Sequence, residues 1–249
     1  MITFAHTGAA MSATFFGSAV EAVEAMTLVL AAGITRGWRS ALSGAAAALA
    51  LLAVVVAVAG PAIASIPVGR LQLLVGCALL LFGVRWLRKA VLRSAGIVPL
   101  HDEDAEFERT KLALGVDGLG RRRWDGAAIA TAFKAVFLEG IEVVLIVVGV
   151  GAAGQMLVPA SIAAAAACVL VGAAGLLLHG PLARVPENTL KFAVGGIMVA
   201  FGIYWFGEGV GIRWPYADAA ILGLMALVFA AGSIAVELAK MKSRSHPQG

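Results

Sequence analysis

Apolar residues along this chain come in long unbroken blocks, not in alternation. The blocks are rich in Ala, Leu, Val and Gly and are parted by short polar or Pro/Gly breaks. Each approaches the roughly 20 residues that carry a helix across hydrocarbon, and none has the period-two pattern of a barrel strand. The pattern predicts seven helices, at about 8–33, 41–64, 69–93, 127–152, 159–183, 188–209 and 217–240. A turn at Gly37-Trp38-Arg39 separates the first two, and Gly60-Pro61 with Pro67 separates the second from the third. Residues 95–126 form the one long hydrophilic stretch. Its acidic run, His101 to Glu108, and its basic triplet, Arg121 to Arg123, are expected to make a solvated charged linker.

The blocks repeat. Glu21-x-x-Glu24 in the first helix returns as Glu139-x-x-Glu142 in the fourth, 118 residues later. The third helix carries Val75-Gly76, Phe82-Gly83 and Trp86, and the sixth carries Val194-Gly195, Phe201-Gly202 and Trp205, all 119 residues apart. The second and fifth end alike, in Gly60-Pro61 then Pro67 and in Gly180-Pro181 then Pro186. A three-helix unit has an odd number of crossings, so its second copy enters the membrane upside down. Such inverted repeats are characteristic of secondary transporters. The expected architecture is therefore an all-α integral membrane protein: a first repeat over 1–94, a charged loop over 95–126, an inverted second repeat over 127–210, and a seventh helix with its tail over 211–249.

Composition agrees with this class: 61% of the 249 residues are hydrophobic and 14% charged, with a mean hydropathy of +0.93. A soluble domain of this length carries far more polar surface. Basic residues set the orientation. With the N-terminus outside, sixteen of the 19 Lys and Arg fall inside; Arg70 and Arg213 fall outside, and Lys134 lies within the fourth helix. The tryptophans Trp38, Trp86, Trp124, Trp205 and Trp214 are all expected at helix ends as an aromatic belt. The N-terminal residues lack the basic region of a signal peptide, so the first helix is expected to stay in the mature chain. Cys77 and Cys168 sit in apolar blocks and offer neither a disulfide framework nor ligand spacing. His6, His101, His179 and His246 are scattered, with no helix-paired arrangement for haem. No phosphate-cradling G-x-x-x-x-G-K-S/T run exists. No enzyme activity, no resident cofactor and no nucleic-acid partner is expected; the lipid bilayer is.

The chemistry to explain is four acids near mid-membrane. Glu21 and Glu24 share one face of their helix, three residues apart, and so do Glu139 and Glu142. An ionised acid there costs about 2.5–3.5 kcal/mol on insertion scales. Lys134 is the one cation counted inside the membrane, so an ion-pair network is under-supplied with positive charge. The remaining remedies are a bound cation or protonation. Carboxylates are hard ligands for Ca²⁺, Mn²⁺, Mg²⁺ or Fe, and the hydroxyls of Ser18 and Thr27 stand one turn to either side of the first pair. Without a metal, crowded carboxylates share protons as a group, so ion binding releases protons. Glu21, Glu24, Glu139 and Glu142 are thus the expected metal ligands, brought face to face by the repeat. Glu208 and Glu237 are read as interfacial, with Glu208 placed to meet an incoming ion at the outer mouth.

Two three-helix units that each open on an acidic motif resemble the calcium/manganese–proton antiporters typified by the Golgi manganese exchanger, within the lysine-exporter superfamily. The resemblance covers about residues 12–93 and 130–209. More narrowly, the runs G-I-T-R-G-W-R-S-A-L, L-H-D-E-D-A and A-R-V-P-E-N-T-L-K-F-A-V-G resemble a bacterial membrane-protein family at the edge of that group. The antiporter motif reads E-x-G-D-K/R-T/S. Here Glu24 and Glu142 take the Asp position, Gly140 keeps the glycine, and Ala25, Val143, Met26 and Val144 replace the polar residues. Glu139-Gly-Ile-Glu142 also resembles the R-E-G-L-E motif of oxidase-linked iron permeases, with Leu138 in place of Arg. The resemblance implies an inner-membrane transporter of Mn²⁺ or Ca²⁺ exchanging protons, with a cytoplasmic C-terminus. An iron permease-like channel and a non-transporting scaffold subunit are the alternatives.

Overall fold

The computed structural model describes residues 2–64, 66–100, 102–115, 124–153, 156–178 and 186–245, which form eight α-helices and no strand. These are α1 (Ile2–Arg36), α2 (Trp38–Ala64), α3 (Val68–Ser94), α4 (Glu103–Leu114), α5 (Gly126–Ala153), α6 (Leu157–Leu178), α7 (Glu187–Gly209) and α8 (Ala220–Ser245). Six of them, α1, α2, α3, α6, α7 and α8, are long and apolar enough to cross a membrane. The chain is a multi-pass membrane protein. Helix α5 has the length, at 28 residues, but Lys134, Glu139 and Glu142 interrupt its apolar run. The expected Gly60-Pro61 break is displaced, since α2 runs through both residues to Ala64. Gly180-Pro181, His101, Arg121 to Arg123 and His246 lie outside the described residues.

The hydrophilic stretch is not a plain linker. Asp102 accepts the Ala105 amide at 3.0 Å and starts α4, the side-chain cap that satisfies a free helical N–H. Gly115, at φ +67°, stops it in a conformation that favours glycine. Two apolar residues seven apart, Phe107 and Leu114, fall on one face. Phe107 is buried with Met26, Leu30, Ala31 and Val171. Leu114 is buried with Val29, Ala32, Ala41, Ala128 and Ala132. Helix α4 thus packs along the end of α1, with its charged side outward.

One polar knot ties that end together. Arg36 donates from Nε to the Leu114 carbonyl at 2.7 Å and from Nη2 to the same oxygen, and from Nη1 to Asp125 at 3.1 Å. Asp125 caps α5 by accepting the Ala128 amide at 2.9 Å, and its own amide donates to Ser40 Oγ at 2.9 Å. The Ala128 amide first, and the Arg36 guanidinium after it, hold the Asp125 carboxyl below its ordinary range. A depressed carboxylate stabilises the fold above its unfolded value, about pH 3.9, and the benefit disappears as pH falls through the folded value. Asp125→Ala is expected to lower thermal stability by about 1 kcal/mol near neutral pH. The gap between variant and wild type should narrow in melts at pH 3; an equal gap at both pH values removes the electrostatic share.

Helices α3 and α7 run antiparallel and make the tightest seam in the bundle. A methyl placed on Gly83 would stand 2.8 Å from the Val199 amide nitrogen and 3.0 Å from the Gly195 oxygen. One on Gly202 would stand 2.9 Å from the Leu80 nitrogen and 3.1 Å from the Gly76 oxygen. Gly83 and Gly202, Leu80 and Val199, and Gly76 and Gly195 are each 119 residues apart. Likewise a methyl on Gly76 would meet the Phe206 nitrogen at 2.5 Å, and one on Gly195 the Leu87 nitrogen at 3.0 Å. Each helix therefore makes the other's contacts with the partners exchanged. The same exchange holds elsewhere, as α2 packs on α5 while α6 packs on α1.

Candidate functional site

The α1–α5 contact brings the two acidic motifs together at the middle of both helices. Glu21, Glu24 and Glu139 each offer a carboxylate oxygen within 4.8 Å of the others. Glu21 is 1% exposed, and its Oε1 has no hydrogen-bond partner among the described residues. One turn earlier on the same face, Ser18 is fully buried, and its Oγ is also without a partner among them. The Thr27 hydroxyl donates to the Val23 carbonyl at 3.0 Å, back along its own helix, as hydroxyls inside helices often do, a bond that uses its proton and leaves the lone pairs of its oxygen.

Glu142 does not join this trio. It accepts from Trp86 Nε1 at 3.3 Å and stands 3.8 Å from Arg85 Nη1. Its placement corrects two expectations: the four acids are not one set of neighbours, and Trp86 is not a belt residue. Trp86 is buried two turns inside α3. Trp205, its counterpart on α7, is likewise turned inward, with a buried indole N–H that finds no acceptor among the described residues.

The larger correction concerns positive charge. Lys191, counted at the membrane surface from its place near a helix start, is 4% exposed. Its ammonium donates to Glu24 and lies 3.8 Å from Glu21 Oε1 and 3.2 Å from Glu187 Oε1. It also sits 5.4 Å from the centre of the Trp86 ring, within cation–π range. Arg93, also buried, holds Glu187 at 2.8 Å. Lys134, the cation the sequence does place in the membrane, is on the exposed side of α5. The available signal is the i, i+4 spacing of Glu187 and Lys191, which sets both on the α1-facing side. Five carboxylates (Glu21, Glu24, Glu139, Glu142, Glu187) gather here with Arg85, Arg93 and Lys191, and Lys89 also lies close to Glu24 and Glu187.

At the opposite end of α7, Glu208 accepts from Gln72 at 2.8 Å. Both line an open cavity of about 530 Å³ with Arg213 and Trp214. Glu237 pairs with Lys240 on the exposed side of α8. Cys77 and Cys168 are free thiols. No protein family, curated protein or solved structure matches the chain.

Proposed function

We propose that the chain is a secondary transporter that exchanges a divalent cation, Mn²⁺ or Ca²⁺, for protons across a bacterial inner membrane. The observation that carries this reading is Glu21: a carboxylate sealed from solvent, facing Glu24 and Glu139, whose Oε1 accepts no hydrogen bond among the described residues and stands 3.8 Å from the Lys191 ammonium. An unsatisfied buried acceptor is costly, and here a cation or a proton would satisfy it. Ser18 Oγ adds a fourth oxygen, and the donor set is all hard oxygen, suited to these ions. Two protons leaving for each divalent ion arriving would keep the charge of the site constant. Glu142, one turn from Glu139, would take the ion next on its path.

In this reading α5 is the seventh crossing, with Glu139 facing α1 and Glu142 facing α3 rather than lipid. The exchanged contacts of α3 and α7 support two inverted repeats, α1–α3 and α5–α7, that rock about the glutamates to give alternating access. The end carrying α4 would face the cytoplasm, where most Lys and Arg gather.

The test is uptake into proteoliposomes containing a pH dye, with Mn²⁺ and Ca²⁺ offered separately. Wild type should take up at least one ion and move protons the other way. Glu21→Gln and Glu139→Gln should each lower the initial rate by about tenfold or more, while Glu237→Gln should not. Silent wild-type vesicles, or transport untouched in the Glu21→Gln, Glu139→Gln double variant, would overturn the reading. A second reading, a non-transporting subunit, draws on Lys191 and Arg93, which offset part of the buried charge. It expects that silence.

A further inference from the structure

We propose that Lys191 is the built-in occupant of the glutamate site, the cation that an arriving ion must displace and the residue that selects for divalent charge. The proposal rests on the transport reading above and adds to it the part that opens the site.

The ammonium of Lys191 stands between two anionic stations. On one side are Glu24, which it holds by a hydrogen bond, and Glu21 at 3.8 Å. On the other is Glu187 at 3.2 Å, one turn back on the same helix and anchored by Arg93 at 2.8 Å. A lysine head is a compact charge on a flexible four-carbon stem, so a small swing moves it wholly onto Glu187 without moving α7. A purely structural lysine needs one acidic partner; this one has a second within reach. The ammonium occupies Glu24 and stands 3.8 Å from Glu21 Oε1, two of the three carboxylates that an ion bound to the trio would need. Ion and ammonium therefore compete for those carboxylates.

Displacement strips Glu24 of its donor, and the charge of the arriving ion replaces it as Lys191 retires to Glu187.

The selectivity follows from charge. A monovalent ion brings no more charge than the ammonium it must expel, whereas a divalent ion brings twice as much and can engage three carboxylates at once.

The experiment measures Mn²⁺ binding to the purified full-length protein in detergent, from the free-ion electron paramagnetic resonance signal, with Na⁺ as competitor. Lys191→Gln should bind Mn²⁺ about tenfold tighter than wild type and become sensitive to Na⁺. Lys191→Arg, with a bulkier charge that cannot leave as easily, should bind more weakly than wild type. Addition of Mn²⁺ should change the tryptophan emission of wild type and of Trp205→Phe but not of Trp86→Phe, because the Trp86 ring lies 5.4 Å from the Lys191 ammonium. Monodisperse Lys191→Gln that binds Mn²⁺ no tighter than wild type overturns the proposal and leaves the transport reading standing. Absence of Mn²⁺ binding in both wild type and Lys191→Gln overturns the transport reading and this proposal together. If Lys191→Gln does not fold, the fluorescence arm decides: an emission change that persists undiminished in Trp86→Phe overturns the displacement of Lys191.

Discussion

Gly83→Leu is expected to melt far below wild type, while Gly223→Leu, on α8, melts within a degree or two of it. The difference is what the new side chain meets. At Gly223 an added Cβ has nothing within 4 Å, so the side chain projects into open space. At Gly83 it would lie 2.8 Å from the Val199 nitrogen, 2.9 Å from Val199 Cγ2 and 3.0 Å from the Gly195 oxygen. Two of those atoms are backbone of the facing helix and cannot rotate aside. Overpacking against movable side chains costs about 1–3 kcal/mol; here α3 and α7 must separate, so a loss of about 3 kcal/mol or more follows. Small residues let helix backbones approach in membranes, where van der Waals contact rather than hydrophobic burial holds helices together. Gly202→Leu, the exchanged position, should behave like Gly83→Leu. Fluorescence-monitored melts in detergent check both, and a wild-type melting point for either would mean the seam tolerates separation.

Much of this architecture is legible in the chain because the strongest forces acting on it are local. A block of apolar residues near 20 long has one inexpensive state in lipid, a helix with its own backbone satisfied, and six such helices stand close to where the blocks predict. Helix α4 escapes that reading because its apolar signal is two residues, Phe107 and Leu114, in a stretch whose charge outweighs them. Only the cap at Asp102 and the stop at Gly115 betray it. The acids are legible as a pair of pairs, yet which of them meet is not. Glu139 and Glu142 are one turn apart on a shared face, but the angular offset between i and i+3 suffices to point one at Glu21 and the other at Trp86. Lys191 defeats the sequence for a different reason. Counting basic residues by their distance from a helix end assumes that the side chain follows the nearest water. A four-carbon stem one turn into α7 can equally turn inward, and the deciding factor is the neighbouring helix, which no local pattern specifies.

Removing Glu187 alone should be the most damaging single change to the polar core, and removing it together with Arg93 should be much milder. Glu187 lies 2.8 Å from Arg93 and 3.2 Å from Lys191, and all three are buried. Glu187→Leu strips Arg93 of this carboxylate and takes from Lys191 one of its stations. Stranding one member of a buried ion pair costs about 3–5 kcal/mol, because the desolvation of the survivor is no longer offset. Arg93→Met with Glu187→Leu removes both charges and fills the space with apolar atoms, a replacement that is often neutral or better. Lys191 then keeps Glu24, so its own charge stays paired. The double-mutant cycle should therefore return a coupling between Arg93 and Glu187 at the high end of the roughly 0.5–3 kcal/mol found for interacting neighbours. If Glu187→Leu melts like wild type, water reaches this end of α7 well enough to solvate Arg93, and the pair is an ornament of the surface. If the double variant is as unstable as the single one, the damage comes from Lys191 losing Glu187, which makes the second station a structural necessity rather than a place for a displaced charge to rest.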